Sequence, residues 1–329
     1  MKSDWPYISV FSINFVTLVN VKIYENMKNI FVLCVLCCCI ACKPKDTTTA
    51  EPVEAKPDSI TNSISPDVPG LRHLWDTDKT LTTSESVLYD KTNNLLYVSC
   101  INGAPPDKKD GDGFIAKVGL DGKIITPKWA TGLNGPKGMG IIDKTLYVTD
   151  IDRIVSINME NGKITNTWKV KGASFLNDIA TAGDGTVYFT DSNTSSIYAL
   201  RDGKVQTLIE QDSTLGGLNG IYVDGPSLML ACMRSGKVLR MDIKNHTVQQ
   251  VAEGIGAGDG MEKYKTGWLV SNWNGAVTYI GSDGDEMEIL NSEEAKLNCA
   301  DIEVIEEKNM LLIPTFFGNT VSAYELVKQ

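Results

Sequence analysis

A six-fold internal repeat constrains this chain more than any other feature. Short apolar segments recur as NLLYVSC (94–100), TLYVTD (145–150), TVYFTD (186–191), LMLACM (228–233), GWLVSN (267–272) and MLLIPT (310–315). Each is followed by a hairpin partner, and Asp-Gly or Asn-Gly pairs close most of these hairpins, the dipeptides that favour tight two-residue turns. No segment keeps a helical period, so the pattern predicts an all-β chain. From residue 71 to 329 the units average about 43 residues, the size of a four-stranded propeller blade. The expected fold is a six-bladed β-propeller. Its last hairpin runs into the C-terminus with no fourth strand, so Leu71–Trp75 is expected to supply one and close blade six from both ends of the chain. An unclosed ring would leave a bare strand edge. A β-sandwich would not give six equal periods, and a WD-repeat propeller would carry a Gly-His…Trp-Asp signature, which no unit shows.

Ahead of the repeats the composition changes twice. Residues 1–41 are expected to be an N-terminal extension and signal peptide. The apolar run Ile30–Ala41, flanked by Lys28, is too short to cross a bilayer but suits a signal-peptide core. It ends in Cys39-Ile40-Ala41-Cys42, which resembles a bacterial lipobox and implies acylation of Cys42, with translation starting at Met27. Residues 42–69 carry five prolines among Thr, Ser, Lys and acids, a composition that cannot bury a core and reads as a tether. Residues 70–329 form the propeller. The resemblance implies a lipid-anchored protein of the bacterial envelope. Lys43 after the cysteine points to the outer membrane, on its periplasmic or surface face.

Composition excludes several chemistries. With 31 basic and 41 acidic side chains the formal charge is −10, which disfavours nucleic acid as a partner. Only two histidines exist, His73 and His246, so a His-rich zinc site or a Ser–His nucleophile is not expected. The same scarcity counts against a quinone-dependent dehydrogenase with a histidine base. Cys100, Cys232 and Cys299 lie far apart without a CxxC spacing and are expected as buried or free thiols.

A polar residue opens the innermost strand of each unit: Glu85, Lys137, Asn177, Asn219, Asp259 and Asp301, spaced 52, 40, 42, 40 and 42 residues apart. Innermost strands run side by side around a propeller's channel, so equivalent positions form a ring. Carboxylates and amides converging there repel and are poorly solvated unless a cation joins them. Oxygen-only ligands suit a hard divalent ion, Ca²⁺ first, with Mg²⁺, Mn²⁺ or Zn²⁺ as alternatives. Turn formation by Asn and Asp explains any one of these residues alone, but not six in register. Lys137 is the internal rival, since it could pair with Glu85 or Asp301 and fill the cation's place.

The segment Ser84-Glu85-Ser86-Val87-Leu88-Tyr89-Asp90, with Leu176-Asn177-Asp178, Leu218-Asn219-Gly220 and Asp259-Gly260-Met261, resembles the senescence marker protein (regucalcin) and gluconolactonase family in motif order. The resemblance spans about residues 71–329. It implies a divalent metal held by Glu85, Asn219 and Asp259, with Asn177 contacting the substrate or a metal-bound water, and hydrolysis of a lactone. The chain departs from the family at Ser86-Val87, usually Gly-Pro, at Tyr89, usually Trp, and at Phe175, where sugar-lactonase members carry an arginine. A guanidinium grips hydroxyls, whereas Phe175 offers a stacking face, which argues against aldonolactones. The expected function is metal-assisted hydrolysis of a lactone or small ester, with Asp259 or Asp301 taking the proton of the attacking water and Lys137, Phe175 and Trp273 beside the substrate. The alternative is a non-catalytic tethered propeller that binds a ligand or a protein on its channel face.

Overall fold

The computed structural model describes residues 67–328. The expectations for residues 1–66, Cys42 and most of its tether included, lie outside the described residues; the tether ends earlier than expected, since Val68 is buried in a core cluster and Pro69 opens a strand. The structure holds six four-stranded antiparallel sheets, five of them ordered as their strands occur in sequence and the sixth combining three C-terminal strands with the first strand described. The innermost strands are Ser84–Asp90, Pro136–Ile142, Leu176–Thr181, Leu218–Asp224, Gly258–Tyr264 and Glu303–Ile305. Neighbouring innermost strands touch all the way around, blade six meeting blade one. The fold is a six-bladed propeller.

Closure is as the repeat pattern predicts. In blade six the innermost strand is followed by Met310–Pro314 and Val321–Lys328, and the outermost strand is Pro69–Asp76. Pro69–Asp76 pairs antiparallel with Val321–Lys328, from Pro69 opposite Lys328 to Asp76 opposite Ser322. The Ser322 hydroxyl donates to Asp76 Oδ1 at 2.6 Å beside that last pair.

The core is divided as the blades are. Six separate apolar clusters each occupy one interface between adjacent blades. The strand Ser227–Cys232 shows why second strands read as unbroken apolar runs. Leu228 and Leu230 enter the cluster shared with blade three, while Met229 and Ala231 enter the one shared with blade five. Successive residues point to opposite faces of a strand, and here both faces are covered. The three thiols, Cys100, Cys232 and Cys299, are buried and free. Burial pushes Cys232 up to about 11 and Cys299 up to about 12, so they act as small apolar groups.

The closing sheet gives the first test. Ala323 is fully buried between Trp75 on one side and Leu312 on the other. Ala323→Pro removes a ladder donor and places a ring in a packed strand, for a loss of about 3 kcal/mol or more. The expected outcome is a sharply lowered thermal midpoint, measured by circular dichroism.

Candidate functional site

The ring positions are aimed by a break in each sheet. In blades one to five the pairing of innermost and second strands is interrupted at one level: between Ser84 and Ser86, Pro136 and Met139, Leu176 and Ile179, Leu218 and Ile221, and Gly258 and Met261. Glu85, Lys137, Asn177, Asn219 and Asp259 each fall inside such an interruption. Bulges of this kind re-aim side chains out of the normal alternation. All five are at most 4% exposed.

Hydroxyls on the second strands hold the interrupted backbone. Ser99, Thr190 and Ser271 accept from the amides of Ser86, Asp178 and Gly260 at 3.0, 3.1 and 2.7 Å. Two of these hydroxyls reach into the following blade: Thr190 donates to the Asn219 carbonyl at 2.6 Å and Ser271 to the Ala300 carbonyl at 2.7 Å. Thr149 does likewise to the Asn177 carbonyl. The next residue pins the loop entering its own blade. Asp150 accepts from the Asn134 and Gly135 amides, Asp191 from those of Ser174 and Phe175, and Asn272 donates to the Ile255 carbonyl. Thr-Asp or Ser-Asn at the end of a second strand thus fixes two ring positions at once. The dyads stand plainly in TLYVTD, TVYFTD and GWLVSN, and sequence reasoning gave them no role.

Asp301 is not a member of the ring. Ser271 contacts the Ala300 carbonyl as Thr190 contacts that of Asn219, so the blade-six position at ring level is Ala300. Asp301 lies one residue deeper, bridged in parallel to Ser86 and adjacent to Gly260. At this depth the innermost backbones nearly touch: a Cβ on Gly220 would stand 2.2 Å from the Asp259 carbonyl oxygen. The Ser86 hydroxyl donates to Asp301 Oδ2 at 2.6 Å. Asp178, at the same depth, accepts from the Ile179 amide at 2.6 Å and from the Ile221 amide of blade four at 2.8 Å.

Two layers of carboxyl groups result. The upper holds Glu85 and Asp259 with the amide of Asn219. The lower, Asp178 and Asp301, continues into Glu262 and Glu303 along a channel cavity of about 200 Å³. Burial raises Glu85 well above the carboxylate range; Lys137 opposes the shift while Asp259 and Asp301 add to it. Burial and then Asp301 raise Asp259, and the neighbouring Asn219 amide eases it without completing an ordinary hydrogen bond. Burial brings Asp301 up to about 6 and Glu303 up to about 8.

The upper layer is incompletely satisfied. Glu85 Oε2, Asn219 Oδ1 and Nδ2, and Asp259 Oδ1 are buried without a hydrogen-bond partner, four of the six such side-chain atoms among the described residues. Buried polar atoms are nearly always paired, so this concentration singles out the three residues. Among the described residues no three carboxylate, thiol or imidazole groups are gathered closely enough to enclose a metal by themselves. An ion here needs the Asn219 amide as well.

Lys137 forms no ion pair with Glu85 or Asp301. Its ammonium donates to the Pro106 and Gly135 carbonyls at 3.2 and 3.1 Å and lies 4.3 Å from the centre of the Phe175 ring. One face of Phe175 is therefore occupied by Lys137. Asn177 Nδ2 donates to Ser192 Oγ at 3.0 Å. The Trp273 amide donates to the Ala257 carbonyl at 2.8 Å, two residues before Asp259. His73 and His246 lie away from this level, on the outermost strand of blade six and in an outer turn of blade four.

No family model matches the chain, and no curated protein matches it. Among solved structures, a catalytically inactive virginiamycin B lyase from Staphylococcus aureus with quinupristin is similar at a TM-score of 0.55 and 13% identity, over 78% of this chain and 99% of that one. A streptogramin B lyase gives 0.57 and 12%, over 78% and 97%. A nidogen–laminin complex gives 0.52 and 19%, over 63% and 79%. At these identities the likeness shows the propeller fold and no more.

The lower layer makes stability depend on pH. A carboxyl raised in the folded state adds stability below the ordinary carboxylate range and loses it as pH climbs through its folded value, here about 8 for Glu303. Melting temperature is therefore expected to fall as pH rises toward 8. Glu303→Gln keeps an acceptor for the Tyr89 amide, now 2.9 Å from Glu303 Oε2. The variant should melt a few degrees higher at pH 8 and flatten the profile, as scanning calorimetry across pH will show.

Proposed function

We propose that this propeller hydrolyses a lactone or small ester, using a divalent cation, Ca²⁺ foremost, held at the channel mouth by Glu85, Asn219 and Asp259. The observation that carries this reading is the group of unpartnered buried atoms on those three residues. Two carboxylates and an amide oxygen are hard ligands of the kind Ca²⁺ takes, with water completing its shell. When bound, the ion would polarise a carbonyl and offset charge developing on its oxygen. Asp259 takes the proton of the attacking water, its basicity raised by burial and by Asp301 below it. Asn177, fixed by Ser192, orients the substrate. Lys137 keeps a buried positive charge near Glu85 while its hydrogens stay on backbone carbonyls. The order of motifs, which resembles the senescence marker protein and gluconolactonase family, supports the same assignment. Acylation of Cys42 would place the activity on a tether at the bacterial envelope.

A second reading, a tethered propeller that binds a ligand without turnover, draws on the exposed aromatic side chain Phe317 at the rim of the same face. Turnover separates the two readings.

The test pairs melting with catalysis. Glu85→Gln removes a carboxyl that burial forces to hold a proton in the folded state, so the metal-free variant should melt higher than the parent near neutral pH. It should lose most of the upward shift that Ca²⁺ gives the parent, and Asp259→Asn should lose it too, each with at least about tenfold weaker ion binding by calorimetry. Proton release from a panel of lactones and aryl esters should fall by two orders of magnitude or more in Asp259→Asn, as for loss of a general base. Undiminished turnover in excess chelator, or no turnover across the panel, removes the proposal.

A further inference from the structure

The turns between second and third strands sit at the channel end where Glu85, Asn219 and Asp259 lie. Two of them carry rings. Trp273 stands in the turn Asn272–Gly275, and Phe316 and Phe317 in the turn Thr315–Thr320. Both are tied directly to the ring level. Phe316 bridges to Ser84, the residue before Glu85, and the Trp273 amide bonds the Ala257 carbonyl, two residues before Asp259. The rings meet edge to face: Trp273–Phe316 at 4.7 Å, Phe316–Phe317 at 4.8 Å and Trp273–Phe317 at 6.3 Å between centroids.

Phe316 is the buried base of this trio, 3% exposed, and Phe317 stands 60% exposed above it. Phe316 adopts φ 41°, a region that bulky side chains rarely enter, and Phe317 beside it faces outward. Of the four exposed large apolar side chains among the described residues, Leu74, Ile125 and Val248 lie on outermost strands. Phe317 alone lies at the channel mouth. Asn298 Nδ2 holds the Trp273 carbonyl at 2.8 Å, which fixes the ring's mount.

We propose that Trp273 and Phe317 form an apolar subsite beside the cation-binding residues, taking an alkyl or aryl arm of the substrate. The inference rests on the hydrolase reading and narrows its substrate class to lactones or esters with an apolar substituent, in place of polyhydroxylated ones. A polyhydroxylated substrate needs donors and acceptors around it. This wall offers ring faces and edges, and Lys137, the one buried cation among the described residues, is already engaged by two carbonyls and Phe175.

The experiment reads binding and turnover separately. Lactams bearing alkyl chains of increasing length, which resist hydrolysis, are titrated against Trp fluorescence in the full chain, and the matching lactones are assayed for proton release. Each methylene that the subsite covers should tighten lactam binding by about threefold to fourfold. Phe317→Ala should collapse the long-to-short affinity ratio at least about tenfold, while Phe317→Leu and Trp273→Phe retain part of it. Melting curves confirm folding, which truncation of so exposed a side chain should leave intact. An affinity ratio near one in the parent, or a ratio kept in both Phe317→Ala and Trp273→Phe, overturns the subsite. Chain-length selectivity in binding with no lactone turned over removes the hydrolase reading and leaves the apolar subsite standing.

Discussion

Six innermost strands approach one axis so closely that their backbones leave almost no room for one another, and most of this molecule's character follows from that crowding. A Cβ on Gly220 or Gly260 would collide with the next blade's main chain. Strands that close cannot keep both a regular ladder and the usual side-chain alternation. The ladder yields at one level in five of the blades, and the freed amides turn to the hydroxyls of Ser99, Thr190 and Ser271. Because Thr190 and Ser271 also bond the following blade's carbonyl, as the Thr149 hydroxyl does, the repair doubles as a stitch from blade to blade. A turn of one blade relative to its neighbour would break these bonds, so the ring geometry is rigid in the sense a binding site requires.

The crowding also sets the electrostatics. Carboxyl groups drawn to the axis lose water without gaining enough partners, so burial is the first cause of every upward shift at Glu85, Asp178, Asp259, Glu262, Asp301 and Glu303. The two layers resolve the problem differently. In the lower one Asp178 is held by two backbone amides and Asp301 by the Ser86 hydroxyl. In the upper one Glu85, Asn219 and Asp259 keep unpartnered atoms. Six separate blade-interface cores supply the stability that lets the axis stay frustrated.

The sequence made the blades legible because each second strand is apolar on both faces and each hairpin ends in turn chemistry that only a few conformations satisfy. It also made five ring residues, Glu85, Lys137, Asn177, Asn219 and Asp259, legible as polar openings recurring at about one per blade. Blade six was misread by one residue. At ring level it carries Ala300, which has no polar group to notice, and the neighbouring Asp301 keeps nearly the same spacing. The contact that settles the register is a hydroxyl-to-carbonyl bond from Ser271 of another blade, which no periodicity displays. The fate of Lys137 was equally hidden, since its partner carbonyl at Pro106 comes from a loop of blade one. The Thr-Asp and Ser-Asn dyads were visible throughout, but their meaning depends on which blade they reach.

These arrangements bear on how such a mouth can vary its chemistry without losing its frame. The stitching groups are main-chain atoms and hydroxyls, and they hold the ring level whatever side chain stands there: Lys137, Asn177, Asn219 and Asp259 occupy equivalent breaks in four consecutive blades. Changing a ring side chain therefore changes charge and donor type while the backbone contacts persist. The rim is independent in another way, since Trp273 and Phe317 sit on turns whose strands are already fixed by the sheets beneath them. Binding of the reacting group and binding of its substituent are thus assigned to different structural layers. Substitutions at Phe317 can retune what the mouth accepts with little consequence for the axis, whereas substitutions at Thr190 or Ser271 would disturb two blades at once.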